Sequence, residues 1–381
     1  MGQAVEDADF EIFLTTIERF TREKLIPAEA AVEAEDRIPE DIVAEMRRLG
    51  LFGVSIPPEY GGLGMSQEQQ VRLHFVMTQA SSAYRSRIST TIGLGSQPIL
   101  YHGSEEQKRA VLPKLASGEW TAAFALTEPE AGSDAGSLRT TARRDGGDYV
   151  LNGGKRYITN APEADVFIVM ARTGGAGGIS AFLVEAGTPG LSVGAIDAKM
   201  GQDGSHTAEV YFNDCRIPAS ALIGGVEGKG FKTAMIGINR ARLHVAATCT
   251  GQAMRLIDEA RDYALARRQF DKPIAEFQSI RAMLADSRAE VLAAKSMILE
   301  TARKFDAGDI DIADIACCKL FASEMVCRVA DRAVQIHGGA GYMRGTPVER
   351  LYRDVRLFRI FEGTSQIQQM IIAREMLKKD R

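Results

Sequence analysis

A stretch of short, β-branched segments separated by glycines lies between two longer stretches that are patterned as helices. It begins at Trp120 and ends near Gly228, and glycine-containing turns at 146–148 and 152–154 divide it further. It contains no helical pattern long enough for a parallel crossover, so we expect a small antiparallel barrel or sandwich and not a parallel sheet. Strands are predicted at residues 121–126, 138–143, 149–152, 156–160, 166–171, 180–184 and 208–212.

Apolar residues recur at three- and four-residue steps on both sides of this stretch, which is typical of amphipathic helices. Ser104 is a predicted helix cap, and Thr364 or Ser365 is expected to cap the last helix. Helices are predicted at residues 67–83, 104–116, 277–298, 311–336 and 365–378.

The order of helices, then strands, then helices predicts an α+β multidomain protein. A chain of 381 residues is too long for one ordinary core. We expect an N-terminal α-helical domain (1–118), a central small antiparallel β-barrel or sandwich domain (119–229) and a C-terminal four-helix bundle (230–381).

Charge and hydropathy argue against two classes of partner. The net charge is −4 with a pI near 5.9, and Lys and Arg are scattered, so no nucleic-acid surface is expected. The apolar runs are too short for membrane insertion. The first seven residues are acidic and lack an apolar run, so no secretory signal is expected and a cytoplasmic location is predicted.

The cysteine and histidine patterns favour neither a metal site nor a disulfide framework. The number of cysteines is odd, no two form a CxxC pair, and the histidines lack ligand spacing. Buried thiols in a reducing cytoplasm are the better interpretation. The cysteines are Cys215, Cys249, Cys317, Cys318 and Cys327.

The predicted strand that contains Phe124 and Leu126 ends in a polar turn at Thr127. A proline follows and stops ladder pairing. Gly132 and Ser133 then present backbone N–H groups and a hydroxyl on one rim. Such a rim can hydrogen-bond the edge of a flat polar ring, and a capped turn without a ligand is the alternative.

Two further segments follow predicted helices. Arg267 lies at a helix end, where its planar guanidinium suits a phosphate group, although capping of helix carbonyls is the alternative. Gln335, Gly338 and Gly339 follow a helix and not a strand, so they do not form a dinucleotide fingerprint. Helix termination is the alternative for these glycines.

Glu362 lies among Leu357, Phe358, Ile360 and Phe361. A carboxylate in apolar surroundings has a raised pKa, which suits a general base that works near neutral pH. Gly363 lets a ligand approach the backbone. The alternative is a glutamate stabilised by the dipole at a helix N-terminus.

Four ordered motifs that span nearly the whole chain resemble the acyl-CoA dehydrogenase family. They read FALTEPEAGSD with a following KRYITN, RRQFDKPI with a following FQ, QIHGGAGY, and RIFEGTSQIQ. The resemblance implies FAD as cofactor. The residues implied to hold it are Phe124, Leu126, Thr127, Gly132, Ser133, Tyr157, Thr159, Arg267, Gln269, Phe270, Gln278, Gln335, Gly338, Gly339, Thr364 and Gln366.

Two of these motifs differ from the family pattern. Tyr157 stands where many members have tryptophan, so the aromatic wall beside the flavin is retained with a different size. Asp271 replaces the usual glycine, which leaves the turn geometry there open. In the family, the equivalents of Gln335 and its paired glycines reach the cofactor of a neighbouring subunit. The resemblance therefore implies an obligate oligomer, expected to be a homotetramer or dimer of dimers.

The resemblance also implies the reaction. Glu362 takes the α-proton of an acyl-CoA thioester, the β-hydrogen leaves as a hydride to the flavin, and the product is a trans-2-enoyl-CoA. An electron-transfer flavoprotein is the implied electron acceptor. Some family branches place the base at the position of Ala241, which cannot take a proton, so Glu362 is favoured.

The residues that the resemblance assigns to the substrate are Ser133, Arg242 and Gly363, with Arg85 as a further candidate. An acidic residue usually stands three positions before Arg242, and Asn239 replaces it here. The segment that contains Arg85 is similar to one that holds the distal carboxylate in glutaryl-CoA dehydrogenases. A structural role, or contact with CoA, is the alternative for Arg85. An acyl-CoA oxidase and a non-catalytic flavin- or CoA-binding protein are the rival functions.

Overall fold

The structure is a computed structural model that describes residues 6–174 and 178–378. The expectation about a secretory signal rests mainly on residues 1–5, which lie outside the described residues. The N-terminal part of the described chain is helical. Its α-helices are α1 (Asp7–Phe20), α2 (Ile26–Glu35), α3 (Glu40–Arg48), α4 (Gln67–Met77), α5 (Ser82–Ser89), α6 (Ser96–His102) and α7 (Glu105–Ser117).

Local sequence explains several helix ends in this region. The predicted cap at Ser104 is confirmed: its hydroxyl accepts the Gln107 N–H at 3.1 Å, and the Gln107 side chain accepts the Ser104 N–H at 3.0 Å. The single helix predicted at 67–83 is wrong, because α4 ends at Met77 and α5 begins at Ser82. A π-helical segment, Thr90–Gly95, joins α5 to α6.

The central part of the chain forms one curled sheet of seven strands in the order β1-β4-β2-β3-β7-β6, with β5 paired to β4. Most neighbours are antiparallel, as predicted, but β1 and β2 both pair with β4 in parallel. The strands are β1 (Ala122–Ala125), β2 (Thr141–Asp145), β3 (Asp148–Thr159), β4 (Val166–Arg172), β5 (Ile179–Glu185), β6 (Leu191–Ile196) and β7 (Thr207–Pro218).

One turn and one strand differ from the sequence prediction. The glycines at 152–154 do not form a turn, because β3 continues through them with a register shift between Leu151 and Gly153. The strands predicted at 149–152 and 156–160 are therefore one strand. β6 was not predicted, and its residues are half-buried or exposed in the structure.

The C-terminal part forms the expected bundle, in which α8, α9 and α12 all pack against α10. The Thr364 hydroxyl accepts the Ile367 N–H at 3.3 Å, so Thr364 is the cap of the last helix. The helices are α8 (Gly230–Ala266), α9 (Gln278–Asp306), α10 (Ile312–His337), α11 (Pro347–Val355) and α12 (Ser365–Met376), and a small hairpin of β8 (Arg268–Gln269) and β9 (Lys272–Pro273) follows α8.

The three regions share a hydrophobic core where they meet. Leu112 of α7, Ile168 of β4 and Ile238 of α8 belong to the same buried cluster. This junction places residues from all three regions around one cavity. The domain limits at 118/119 and 229/230 stay a prediction.

Three observations concern membranes, metals and thiols. Within residues 6–174 and 178–378, no helix is long and apolar enough to cross a membrane. The same residues contain no group of three or more His, Cys, Asp or Glu side chains that could hold a metal ion. All five cysteines are free.

Candidate active site

A cavity of about 830 Å³ lies at the junction of the sheet, α5, α8 and the start of α12. Its wall brings together residues that are far apart in sequence, and it includes Ala241, the position of the alternative base. The residues predicted for the site that line it are Arg85, Phe124, Leu126, Thr127, Gly132, Ser133, Tyr157, Thr159, Arg242, Glu362, Gly363 and Thr364.

A buried ion pair holds the polar turn on one side of the cavity. Lys155 Nζ lies 2.8 Å from Glu128 Oε1 and donates to the Leu126 carbonyl at 3.1 Å. The Glu128 carboxylate also accepts the backbone N–H groups of Arg139 at 2.5 Å and Thr140 at 2.9 Å. These bonds tie the start of the turn to β3 and to the residues that precede β2. Both side chains were present in the predicted motifs, but the sequence assigned them no role.

The pKa values of both partners are shifted, although by different causes. Burial lowers the pKa of Lys155 to about 8. Burial alone would raise the pKa of Glu128, but the Lys155 charge and the donated hydrogen bonds outweigh it and hold that pKa below its ordinary value. The carboxylate is therefore ionised at neutral pH.

Tyr157 is turned into the cavity by an irregularity in β3. The register of β3 against β7 shifts between Lys155 and Ile158, and Tyr157 has a φ of 58°. Its ring is 61% exposed, with the Arg156 guanidinium 5.0 Å from the ring centroid. An open aromatic face thus stands beside the rim of hydroxyls at Thr127, Ser133 and Thr159.

Glu362 and Gly363 form a left-handed turn before α12, with φ values of 54° and 89°. This conformation is unfavourable for a glutamate and is often found at functional sites. Glu362 lines the cavity, and its carboxylate has no hydrogen-bond partner among the described residues. Burial raises its pKa, and the charges of Arg85, Arg242 and Lys319 offset part of that rise.

Donors from three helices hold the backbone of this turn. Arg242 Nε of α8 donates to the Glu362 carbonyl at 3.2 Å. Lys319 Nζ of α10 donates to the Gly363 carbonyl at 2.8 Å. Gln368 Nε2 of α12 donates to both carbonyls, at 3.1 and 2.9 Å. The turn is therefore fixed from three sides.

Sequence reasoning did not identify Lys319 or Gln368. Both side chains are fully buried. One signal could have found Lys319: it lies four residues after Ile315 and three before Ala322, on the buried face of α10. A lysine on an apolar helix face is uncommon unless it is paired.

Arg242 reaches the cavity from one turn of α8. Its Nη1 donates to Asn239 Oδ1 at 2.9 Å. The asparagine that stands in place of the usual acidic residue therefore still bonds Arg242. Burial lowers the pKa of Arg242, and the Glu362 charge opposes that change. Asn239 and Arg242 both line the cavity.

Arg85 is a buried cation that lines the cavity and is only 4% exposed. Its guanidinium has no hydrogen-bond partner among the described residues, and Nε is fully shielded. Burial lowers its pKa to about 10, so it stays charged at neutral pH. Ser86 and Ser89 line the cavity beside it.

Most of the remaining predicted residues lie away from this cavity, whereas Gln366 follows the lining residue Thr364 by two positions at the start of α12. Arg267 follows the end of α8, and α8 extends for 24 residues beyond Arg242, or about 36 Å at the rise of an α-helix. The Tyr263 and His337 rings stack with centroids 4.2 Å apart, which brings the end of α8 next to the glycines after α10. The predicted residues outside the cavity wall are Arg267, Gln269, Phe270, Gln278, Gln335, Gly338, Gly339 and Gln366.

The turn at Asp271 is now defined. Phe270 and Asp271 have φ values of 51° and 61° and connect the paired strands β8 and β9. Two left-handed residues form a type I′ hairpin turn, which favours glycine or asparagine and tolerates aspartate. The Phe270 ring is 87% exposed. These two motifs form one exposed surface at the far end of the bundle.

The cavity fits a flat polar ring of the isoalloxazine type. Tyr157 offers an aromatic face, and the hydroxyls of Thr127, Ser133 and Thr159 can bond a ring edge. The Glu362 carboxylate lies in the same wall. The arrangement therefore combines a surface that fits such a ring with a carboxylate whose pKa is raised.

Comparison with known proteins agrees with this geometry. Residues 7–119, 123–215 and 228–377 match the acyl-CoA dehydrogenase N-terminal, middle and C-terminal domains. An acyl-CoA dehydrogenase of Bacillus subtilis (strain 168) is 42% identical over 361 residues, which cover 94% of this chain and 95% of that protein.

Two solved structures show the same fold. Butyryl-CoA dehydrogenase from Megasphaera elsdenii has a TM-score of 0.94 and 35% identity, covering 99% of this chain and 100% of that one. An acyl-CoA dehydrogenase complexed with FAD from Bacillus anthracis has a TM-score of 0.92 and 34% identity, covering 98% of this chain and 67% of that one. The chain therefore belongs to the acyl-CoA dehydrogenase family, as an FAD-dependent oxidoreductase that acts on a CH–CH bond.

Proposed function

We propose that this protein converts an acyl-CoA thioester to the trans-2-enoyl-CoA with Glu362 as the catalytic base. The observation that carries the proposal is the Glu362 carboxylate in the cavity wall, which has a raised pKa and no partner among the described residues. A base of this kind is able to take a weakly acidic proton near neutral pH. FAD, when bound, supplies the acceptor for the β-hydride.

The chain's own residues position the substrate and the base. Glu362 receives the α-proton, and its own backbone N–H lies beside the carboxylate, where it is able to donate to the thioester oxygen as charge develops there. Arg242 holds the Glu362 carbonyl at 3.2 Å and lines the cavity. Apolar side chains of Leu94, Phe231 and Ile238 complete the wall and exclude water from the reacting atoms.

The test compares the Glu362→Gln variant with wild type and with Glu106→Gln, which changes an exposed glutamate on α7. Anaerobic mixing with butyryl-CoA should bleach the flavin in wild type and Glu106→Gln. The rate of flavin bleaching should fall by about 10²- to 10⁴-fold in Glu362→Gln. Exchange of the α-proton into deuterated water should be lost in the same variant. Wild-type bleaching by Glu362→Gln would refute the role of Glu362.

The buried, unpartnered guanidinium of Arg85 favours a second candidate, a dehydrogenase of glutaryl-CoA or another dicarboxylyl-CoA. A planar guanidinium binds a carboxylate strongly in a dry site, and Ser86 and Ser89 add two hydroxyls nearby. A hydrocarbon acyl chain would leave that cation without a hydrogen-bond partner.

Glutaryl-CoA and pentanoyl-CoA form a matched pair of substrates, because a carboxylate in one replaces a methyl in the other. If Arg85 reads the substrate, Arg85→Gln should lower kcat/KM for glutaryl-CoA about 100-fold more than for pentanoyl-CoA. The ratio removes any effect of Arg85 on Glu362, since that effect is common to both substrates. An unchanged ratio would reject the dicarboxylyl reading and leave the acyl-CoA proposal intact.

The assembly and the electron acceptor are further parts of the proposal. The exposed surface around Phe270 and Gly338 lies far from Glu362, so it is too distant to contact a cofactor bound in the cavity of the same chain. This supports a homotetramer or dimer of dimers in which each site is completed by a neighbouring copy. An electron-transfer flavoprotein is the proposed acceptor. The free cysteines support a reducing, cytoplasmic location.

A further inference from the structure

Lys319 is a fully buried lysine with one described hydrogen bond, from Nζ to the Gly363 carbonyl at 2.8 Å. It projects from α10 into the space between that helix and the turn that carries Glu362. Burial of an ammonium group costs free energy, and the cost is offset only where the charge makes a favourable interaction with other groups. No carboxylate is ion-paired with Lys319 among the described residues, so a salt bridge does not account for it.

The charged groups that act on Lys319 are Glu362, Arg242 and Glu324, and Glu324 is already paired with Arg359. The buried Cys249 thiol is close by, but burial raises its pKa, so it stays neutral. The charges that act on the Glu362 carboxylate are Arg85 on α5, Arg242 on α8 and Lys319 on α10. Two of these three also bond the backbone of the turn: Arg242 donates to the Glu362 carbonyl at 3.2 Å, and Lys319 donates to the Gly363 carbonyl at 2.8 Å.

We infer that Lys319 is a positioning residue for the base: its ammonium group fixes the left-handed Glu362–Gly363 turn and favours the ionised carboxylate of Glu362. This inference rests on the proposed role of Glu362. Gln368 shares the first task, since it donates to the same Gly363 carbonyl at 2.9 Å, but it carries no charge. The two side chains therefore separate geometry from electrostatics.

Removal of the charge has a predictable sign. A nearby cation lowers the pKa of a carboxyl group, so its loss raises that pKa. Glu362 must be ionised to accept a proton, so the reaction is lost as pH falls through the pKa of Glu362. Lys319→Met should therefore move the acid limb of the flavin-reduction rate upward by about one pH unit. The maximal rate should fall about 10-fold or more, because the base is less well placed.

Three variants serve as controls. Lys319→Gln keeps a donor without the charge, so it should shift the acid limb with a smaller loss of maximal rate. Gln368→Leu removes a neutral donor, so it should lower the rate with a smaller shift. Cys318→Ala alters a buried neighbour on α10 that bonds Thr301 on α9, and it should match wild type. Each variant is checked first for bound FAD by absorbance and for binding of a non-reactive acyl-CoA analogue.

A second measurement does not depend on turnover. The protein is labelled with glutamate carrying ¹³C in the side-chain carboxyl, and the Glu362 resonance is identified by its absence in Glu362→Gln. Its titration midpoint should rise in Lys319→Met and Lys319→Gln.

The outcomes separate the two proposals. If Glu362→Gln reacts like wild type, the proposed function fails. If the acid limb depends on Glu362 but neither lysine variant moves the limb or the midpoint, the inference about Lys319 fails while the function stands. Loss of stability or FAD without a shift would show a purely structural lysine and would also overturn the inference.

Discussion

Arg242 Nη1 donates a hydrogen bond to Asn239 Oδ1 at 2.9 Å, one turn earlier on α8. The partner is a neutral amide, so the positive charge of Arg242 is not compensated at this contact. That charge offsets part of the rise that burial causes in the pKa of Glu362. The asparagine therefore leaves Arg242 free to act electrostatically on the base while it keeps the guanidinium in place.

Asn239→Asp should raise the pKa of Glu362, because a carboxylate against Arg242 cancels part of its field. The acid limb of the anaerobic flavin-reduction rate should move to higher pH, which stopped-flow measurements across the acid range would detect. Asn239→Ala removes the hydrogen bond without adding a charge, so the acid limb of its flavin-reduction rate should stay closer to that of wild type. An unmoved or lowered limb in Asn239→Asp would contradict this account.

Local signals were enough for some parts of the fold and not for others. Ser104 was predicted as a cap, and the cap of the last helix was narrowed to Thr364 or Ser365, because a hydroxyl and the N–H three residues later decide the contact. The irregularity that exposes Tyr157 depends on pairing of β3 with β7 across more than 40 residues, which no local pattern contains. The continuation of β3 through Gly153 has the same origin.

The same division holds at the site. Glu362, Ser133 and Tyr157 were found because each lies in a short motif. Lys319 and Gly363 are 44 residues apart, and their contact arises only when α10 packs against the start of α12. A tertiary contact of this kind leaves only an indirect signal, a lysine on an apolar helix face.

Gly363→Ala should damage both stability and the site. Gly363 has a φ of 89°, and an added Cβ would lie 2.8 Å from Gln368 Nε2, which holds the turn. The free energy of unfolding should fall by about 1–2 kcal/mol, and flavin bleaching by an acyl-CoA should slow. Urea unfolding and stopped-flow absorbance measure the two effects. Gly147→Ala is the control, since an added Cβ there meets nothing within 4 Å. Equal behaviour of the two variants would refute the prediction.

Lys155→Met should leave the Glu128 carboxylate buried without its cation. Breaking a buried ion pair in this way costs about 3–5 kcal/mol of the free energy of unfolding. The turn that follows Leu126 loses its anchor, so the variant should also retain less FAD after purification, measured by visible absorbance.

The double variant with Glu128→Gln should lose less stability than the sum of the losses in the two single variants. Arg216→Gln, which removes an exposed pair with Asp145, should change little. Additive losses would show that the pair is not coupled.

Asp354 links α11 to the loop that completes one wall of the cavity. Its Oδ1 accepts the Gln202 N–H at 2.5 Å, and Gln202 Nε2 donates to the Asp354 carbonyl at 3.2 Å. The carboxyl group is 1% exposed, and Oδ2 has no partner among the described residues. Burial raises its pKa to about 7. Gln202 lines the cavity, so the protonation of Asp354 bears on the cavity wall as well as on stability.

The pKa of Asp354 is higher in the folded chain than the value of about 3.9 expected in the unfolded chain. Such a group stabilises the fold at low pH, where it is protonated, and this stabilisation is lost as pH rises through the folded value. Asp354→Asn keeps an acceptor for Gln202 and cannot ionise, so it should behave like the protonated wild type at every pH. Between about pH 5 and pH 8 the free energy of unfolding of wild type should therefore fall by about 2 kcal/mol relative to that of the variant. Urea unfolding at both pH values measures this difference. The contributions of all other titrating groups cancel, because they are the same in wild type and in the variant. A difference that does not change with pH would show that Asp354 does not titrate in this range.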